Sequence, residues 1–405
     1  MNEGVQNPSR PSSECVAITG LGAVCSLGNS VREIVEAFLR GKSASVEIPE
    51  FGCFAARVQN LSAITTDVSP QLARTMGKHL SLLMASVGEA LGAASLDQAM
   101  FDPGDMGFFA GMGMVDYHVE DLLSAVLRSL KGDGEIDYDR FFLQGYREIY
   151  PLWPLGMLNN VAFCQASIHF GLRGENSVFC PHGDSGVRAV YEAACALGEG
   201  KAKIALAGGV SEEISPLSLA RANLKGVIGP HAPAAFLGEA GAMMVLEPFA
   251  NAVGRGASIL GRILGFGFSF ERSQDGRFAS KQAISSAIGA ALADAGLAPA
   301  GIDLVMLSSF NESELEAVRE VFALQADRPV IVAAPYVVGD TLAAGPVLNA
   351  AIVLSISGDE KLASNLLLCS RGGDSKAFTI GRVLINGISC EGGCGSMIIE
   401  GANAG

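Results

Sequence analysis

The stretch Phe179-Cys180-Pro181-His182-Gly183-Asp184-Ser185-Gly186 holds a thiol, an imidazole, a carboxylate and a hydroxyl close together. Three readings fit these side chains. Gly-Asp-Ser-Gly matches a run found around serine nucleophiles, Cys180 with His182 is a candidate nucleophile and base, and the stretch also fits the frame of a nucleophile that has been lost. A serine protease needs a histidine base and a buried aspartate ahead of the serine in a mostly β chain. Here Ser185 is followed by apolar residues at Val187, Val190, Ala194 and Leu197, the period of a helix, so the serine reading fails. The Cys180–His182 pairing requires residues i and i+2, with Pro181 stiffening the run between them, to point into one pocket; it stays open as an alternative. Other signatures are incomplete. Gly41-Lys42-Ser43 has Glu36 where a P-loop needs its first glycine, and Gly20-x-Gly22 has Cys25 where a dinucleotide fingerprint needs its third. Cys390-Glu-Gly-Gly-Cys394 is one cysteine pair without a second pair or a neighbouring histidine, so neither a metal nor any other cofactor is expected.

The elements that must position these residues alternate. Val16–Val24 reads as a strand followed by a turn, and the runs from Ile204, Asp303 and Pro329 read as buried strands. Ile284, Ile288 and Leu292, like Leu315, Val318 and Phe322, mark helices with one apolar face. Strands alternating with helices predict an α/β protein whose sheets are covered by helices. Residues 128–153, rich in charges and aromatics, interrupt the alternation as an insertion over a site or an interface.

Four ordered motifs then point to a family. The segment 171–212, including Cys180 to Gly186 and ending Ala207-Gly-Gly-Val-Ser-Glu212, resembles the nucleophile region of the β-ketoacyl-(acyl carrier protein) synthases. Residues 16–29 resemble that family's first strand and loop, 236–247 its Phe-x-x-Gly-Glu-Gly-Ala strand, and 383–400 its closing Asn-Ser-Phe-Gly-Phe-Gly-Gly segment. The resemblance implies the thiolase fold, two similar α/β halves in a five-layer α-β-α-β-α arrangement. It divides the chain into a disordered tail (1–14), an N-terminal half (15–252) and a C-terminal half (253–405). It also assigns the family's functional positions. The nucleophilic cysteine falls on Gly183, the first histidine on Ser308 ahead of a shortened loop, the second histidine on Asp340, the lysine on Pro335 and the aromatic gate on Cys390. The chain has histidines only at His79, His118, His169, His182 and His231, so nothing beyond His231 supplies the two imidazoles of the family's second half. Condensation needs a thiolate to carry the acyl chain and imidazoles to promote decarboxylation. Groups acting as a unit lose most of their acceleration when one member is removed. Decarboxylases of the family that replace the cysteine by glutamine keep both histidines, and this chain has neither.

The resemblance therefore implies a chain-length-factor-like subunit. It would pair with a catalytic ketosynthase as a heterodimer in type II polyketide, aryl-polyene or fatty-acid-like biosynthesis, shape the acyl tunnel, and meet acyl carrier protein through the complex. Tyr117, His118, Phe141, Phe142 and Trp153 are the candidate tunnel or interface residues. The alternatives are an acyltransferase with a rearranged Cys180–His182 site and a homodimeric protein that binds acyl groups or acyl carriers.

Composition sets outer bounds. With 405 residues, 49% of them apolar, the chain can bury a large core. A net charge of −14 argues against nucleic acid, whose phosphates need a Lys/Arg face. An acidic carrier protein would need a local basic patch, for which Arg188, Lys201, Lys203, Arg221 and Lys225 are the candidates. The uncharged run Thr341–Gly358 carries Gly345, Pro346 and Asn349 and reads as a buried helix rather than a membrane span. No secretory leader is visible and nine scattered cysteines suit a reducing compartment, so the expected location is the cytoplasm.

Overall fold

The computed structural model describes residues 16–41, 43–59, 61, 77–96, 101–229, 232, 234–323, 329–366 and 379–402; the expected disordered tail lies outside them. Among the described residues, strands β1 (Val16–Cys25), β4 (Met106–Met112), β5 (Asn176–Phe179), β6 (Ile204–Val210) and β8 (Ala240–Pro248) come from the first part of the chain. Strands β9 (Gly261–Phe270), β10 (Leu304–Leu307), β11 (Val330–Ala333), β12 (Arg382–Ile388) and β13 (Gly393–Gly401) come from the second. They line up as β11-β10-β12-β13-β9-β1-β8-β6-β4-β5, while β2 (Val46–Ile48), β3 (Cys53–Ala56) and β7 (Leu237–Gly238) form a small separate sheet.

Read outward from the β1–β9 junction, where Val16 faces Ile263, the two halves repeat each other. In the first, β1-β8-β6-β4-β5 pair antiparallel, antiparallel, parallel and parallel. In the second, β9-β13-β12-β10-β11 pair in the same order and sense. Helices α1 (Lys78–Ala93), α2 (Glu120–Arg128), α3 (Tyr138–Leu143), α4 (Asn159–Phe170), α5 (Gly183–Gly198), α6 (Pro216–Leu224), α7 (Lys281–Ala295), α8 (Glu312–Phe322) and α9 (Gly345–Ile356) complete the frame used below. α1 and α4 cover the outer face of the first half-sheet and α7 and α8 that of the second. α5 and α9 lie between the half-sheets, α5 against β4 and β6 on one side and β12 and β13 on the other. This is the five-layer thiolase fold.

The sequence dictates which helices take the middle. α9 has no charged residue and is buried all round apart from Ser355, as a helix without a polar face must be. Each of its Val, Leu and Ile side chains stabilises the fold by about 1.5–3 kcal/mol through burial. The run Thr341–Gly358 is thus core, and no helix among the described residues is long and apolar enough to cross a membrane. The expected turn within Val16–Val24 is instead continuous strand. Gly20 and Gly22 bring β1 against α1: a Cβ at Gly20 would lie 2.3 Å from the Ala90 carbonyl oxygen, and one at Gly22 2.1 Å from that of Ser86. The Gly-x-Gly pattern records helix–strand contact, not a phosphate loop. β5 ends the large sheet. Residues 120–157, which include the expected insertion, fold into short helices whose large apolar side chains, among them Leu123, Leu127, Phe142, Leu143 and Tyr150, are exposed.

Candidate functional site

Helix α5 begins at Gly183 with His182 as its N-cap, so the segment that opened the sequence reading crosses from β5 directly into the central layer. Gly183 faces the end of β12. A Cβ there would lie 2.9 Å from the Ile388 nitrogen, 3.1 Å from its oxygen and 3.2 Å from Gly387 Cα. The approach is mutual, since a Cβ on Gly387 would lie 2.3 Å from the Gly183 oxygen. Strand backbone crowds the position from which a side chain at 183 would have to start.

Two of the other assigned positions, Asp340 and Cys390, lie near the same end of α5. The turn after Asp340 packs against it, with the Ala343 oxygen 2.1 Å from where a Cβ on Gly186 would be. Asp340 accepts a hydrogen bond from the Leu342 backbone N–H (3.0 Å), and burial pushes its carboxyl up to about 6, with Glu212 adding to the rise. Pro335 is buried at the start of a short helical turn. Ser308 directly follows β10; its Oγ is buried without a hydrogen-bond partner among the described residues, while its backbone N–H donates to Glu314. Glu314, wholly buried at the start of α8, also accepts from the Ser309 N–H (3.0 Å), the Ser309 hydroxyl (2.7 Å) and Asn386 Nδ2 (3.1 Å). It ties the shortened loop to β12, and burial lifts its carboxyl to about 7 against those bonds.

The structure does not make a dyad of Cys180 and His182. Cys180 is exposed and its sulfur accepts from Asn159 Nδ2 at 2.7 Å. His182 is buried and meets the loop after β12: its Nε2 is 3.4 Å from Cys390 Sγ and 3.8 Å from Glu391 Oε1. Glu391 Oε1 also pairs with Lys225 Nζ at 2.6 Å. Burial, with Lys225 nearby, lowers the imidazole to about 4, and burial raises the Cys390 thiol to about 11. Burial disfavours the charged form of both groups, so the resting pair is neutral. Cys394, the other half of the sequence pair, faces the core away from this cluster, beside Ile388 and Ile398.

Of the aromatic candidates, Tyr117 and Trp153 meet edge to face at 5.6 Å, and Phe141 and Phe142 at 5.4 Å. Trp153 is half-buried and His118 and Phe142 are exposed. The candidate basic patch is not a free one, because each member has an acidic neighbour. Lys201 pairs with Glu199, Lys203 with Asp105, Lys225 with Glu391 and Arg188 with Glu192. Arg221 grips both oxygens of Asp116 (2.9 and 3.2 Å) and Glu212 Oε2 (2.7 Å). A cavity of about 620 Å³ opens elsewhere, between the loop after β1 and the β2–β3 hairpin, and none of the positions above lines it. Glu314, Asn386 and Glu391 escaped the sequence reading. The available signal for Glu314 was an acid one turn before Val318 on the buried stripe of its helix.

Comparison with known proteins agrees with this geometry. Residues 13–252 match the family described as Beta-ketoacyl synthase, N-terminal domain, and the chain belongs to the β-ketoacyl synthase family. It is 26% identical over 364 residues to 3-oxoacyl-[acyl-carrier-protein] synthase 2 of Coxiella burnetii, covering 84% of this chain and 85% of that one. It is 29% identical over 373 residues to the tetracenomycin polyketide synthase ketoacyl synthase beta subunit of Streptomyces glaucescens, covering 84% of each. Among solved structures, a β-ketoacyl synthase from Burkholderia phymatum superposes with TM-score 0.78 at 21% identity, covering 96% of this chain and all (100%) of that one. The ishigamide ketosynthase/chain length factor superposes with TM-score 0.74 at 18% identity, covering 96% and 99%.

Proposed function

We propose that this chain is a non-condensing, chain-length-factor-like subunit that pairs with a catalytic ketosynthase in type II polyketide, aryl-polyene or fatty-acid-like biosynthesis and shapes the acyl tunnel of the heterodimer. The observation that carries this reading is the glycine at position 183, which has no side chain and whose Cβ position is crowded by the Ile388 backbone. Ser308 and Asp340 at the two histidine positions remove the groups that would promote decarboxylation. The similarity to a ketoacyl synthase beta subunit and to a ketosynthase/chain length factor pair supports the reading. So does the surface: β5 is a sheet edge, and edge strands are normally paired, covered or charged. The short helices of residues 120–157 also expose several large apolar side chains, Leu127, Phe142, Leu143 and Tyr150 among them, which a stable partner could cover. Acyl carrier protein would then meet the complex and not this chain alone.

The test is co-expression with a ketosynthase encoded beside it, followed by malonyl-dependent elongation by the complex and by each chain alone. Activity confined to the complex, kept in Cys180→Ala and lost when the partner's cysteine is removed, is the expected result. Elongation by this chain alone overturns the proposal. Phe142 and Leu143 are 68% and 67% exposed, so a Phe142→Asp/Leu143→Asp double variant should fold normally yet lose the one-to-one complex on size exclusion.

A further inference from the structure

His182, Cys390 and Glu391 form a cluster that neither the family nor the proposed role accounts for. Their nitrogen, sulfur and carboxylate oxygen atoms lie within 4.8 Å of one another. A tetrahedral zinc ion, with Zn–S near 2.3 Å and Zn–N and Zn–O near 2.0–2.2 Å, sets its ligand atoms about 3.6 Å apart for S···N and about 3.4 Å apart for N···O. The observed separations are 3.4 Å between Cys390 Sγ and His182 Nε2 and 3.8 Å between His182 Nε2 and Glu391 Oε1. Two of the three separations thus lie within a few tenths of an ångström of tetrahedral zinc spacing, and the third, between the Cys390 sulfur and the Glu391 carboxylate, is no more than 4.8 Å, so the three atoms can serve as three corners of a zinc tetrahedron after a modest closing of the Glu391 side chain.

The elements that hold the cluster are already fixed. His182 is the residue from which α5 starts, and Cys390 and Glu391 occupy a tight turn. That turn is closed by the Ser389 N–H donating to the Gly393 oxygen (2.8 Å) and the Glu391 N–H donating to the Ser389 hydroxyl (2.9 Å), with Gly392 at φ +105° completing it. His182 and Cys390 are buried and Glu391 is half-exposed, so an ion would enter from the carboxylate side and keep one position for water. The electrostatic balance is mixed: Asp340 and Glu212 join Glu391 in facing Cys390, and Lys225 opposes them. Lys225 already pairs with the Glu391 oxygen at 2.6 Å, but this pair is partly exposed and worth little, so a divalent ion with thiolate and imidazole ligands displaces it.

We propose that His182, Cys390 and Glu391 bind a single zinc-class divalent cation through three protein ligands with one exchangeable position. Binding releases the Cys390 proton and ties the loop after β12 to the start of α5 above Gly183, independently of whether the chain pairs with a ketosynthase.

The experiment titrates the full-length, reduced, metal-stripped chain with Co(II), reading thiolate-to-cobalt charge transfer and tetrahedral ligand-field absorption, then displaces it with Zn(II). One equivalent should bind. Cys390→Ser should abolish the charge-transfer band and weaken binding by more than about 100-fold, beyond what outer-sphere partners are worth. Cys180→Ser should leave it intact. Lys225→Met, a change at a partly exposed side chain, should tighten binding by freeing the carboxylate, and it keeps the proposal testable if Cys390→Ser misfolds. Absence of the band in the parent chain, its survival in Cys390→Ser, or weaker binding by Lys225→Met overturns the proposal.

Discussion

Restoring the family's nucleophile by Gly183→Cys should destabilise this protein and confer no condensation. The new Cβ would lie 2.9 Å from the Ile388 nitrogen and 3.1 Å from its oxygen, both backbone atoms of a strand in the central sheet. No flexible side chain can retreat, so α5 or β12 must move, and overpacking of this kind costs about 1–3 kcal/mol. Replacing glycine at a first helical position returns less than the ~1 kcal/mol that glycine costs inside a helix, so the net effect stays destabilising. With an unfolding entropy of about 2.1 cal/mol/K per residue over 405 residues, the melting temperature should fall by about 1–3 °C if the chain unfolds as one unit. Gly183→Ala carries the same Cβ without sulfur and should fall by a similar amount, separating the contact from thiol chemistry. Calorimetry reads the stability, and mass spectrometry after incubation with malonyl- and acyl-carrier protein reads acylation and elongation. Unchanged or raised melting temperatures for both variants, or elongation by Gly183→Cys alone, would refute the reasoning.

Two further outcomes follow from buried charges. Arg221→Ala strands the Asp116 and Glu212 carboxylates, whose side chains are only 14% and 8% exposed, and should cost on the order of 3 kcal/mol in urea unfolding; Arg221→Lys should rescue only part, because lysine cannot grip both acids with a planar fork. Glu314 has its carboxyl raised to about 7 in the folded chain from 4.5, so between those values the folded state binds the extra proton. Its contribution to stability should therefore fall as pH rises from about 4.5 to about 7 and level off above, by roughly 3 kcal/mol, a slope that Glu314→Gln should remove.

Local patterns revealed the central helices and strands because burial leaves its period in the chain: Val187, Val190, Ala194 and Leu197 lie on the buried side of α5 as the spacing predicts. The motif order was enough to carry the thiolase fold. Gly20 and Gly22 misled because a glycine in a turn and a glycine under a crossing helix look alike in one dimension. The cluster around His182 was illegible for a stronger reason. Cys390 comes from 208 residues away, and nothing local distinguishes a cysteine that meets an imidazole from one that faces the core, as Cys394 does. The tempting neighbour, Cys180, is turned to Asn159 instead.

The positions that the proposed role treats as lost catalytic groups are coupled through the packing around them. Gly183 and Gly387 each exclude a side chain at the other, so the start of α5 and the end of β12 meet through backbone. The shortened loop after Ser308 is anchored to the same strand through Glu314 and Asn386, whose Oδ1 in turn accepts from the Ser396 hydroxyl on β13 at 2.8 Å. A single substitution leaves the others in place: a Cβ at 183 is crowded by the Ile388 backbone, and the Ser308 and Ser309 N–H groups are already committed to Glu314. Conversely, the β5 edge and the exposed apolar side chains of residues 120–157 do not involve these positions. Under the proposed role, the centre is repacked through backbone contacts while the exposed apolar side chains stay available to a partner.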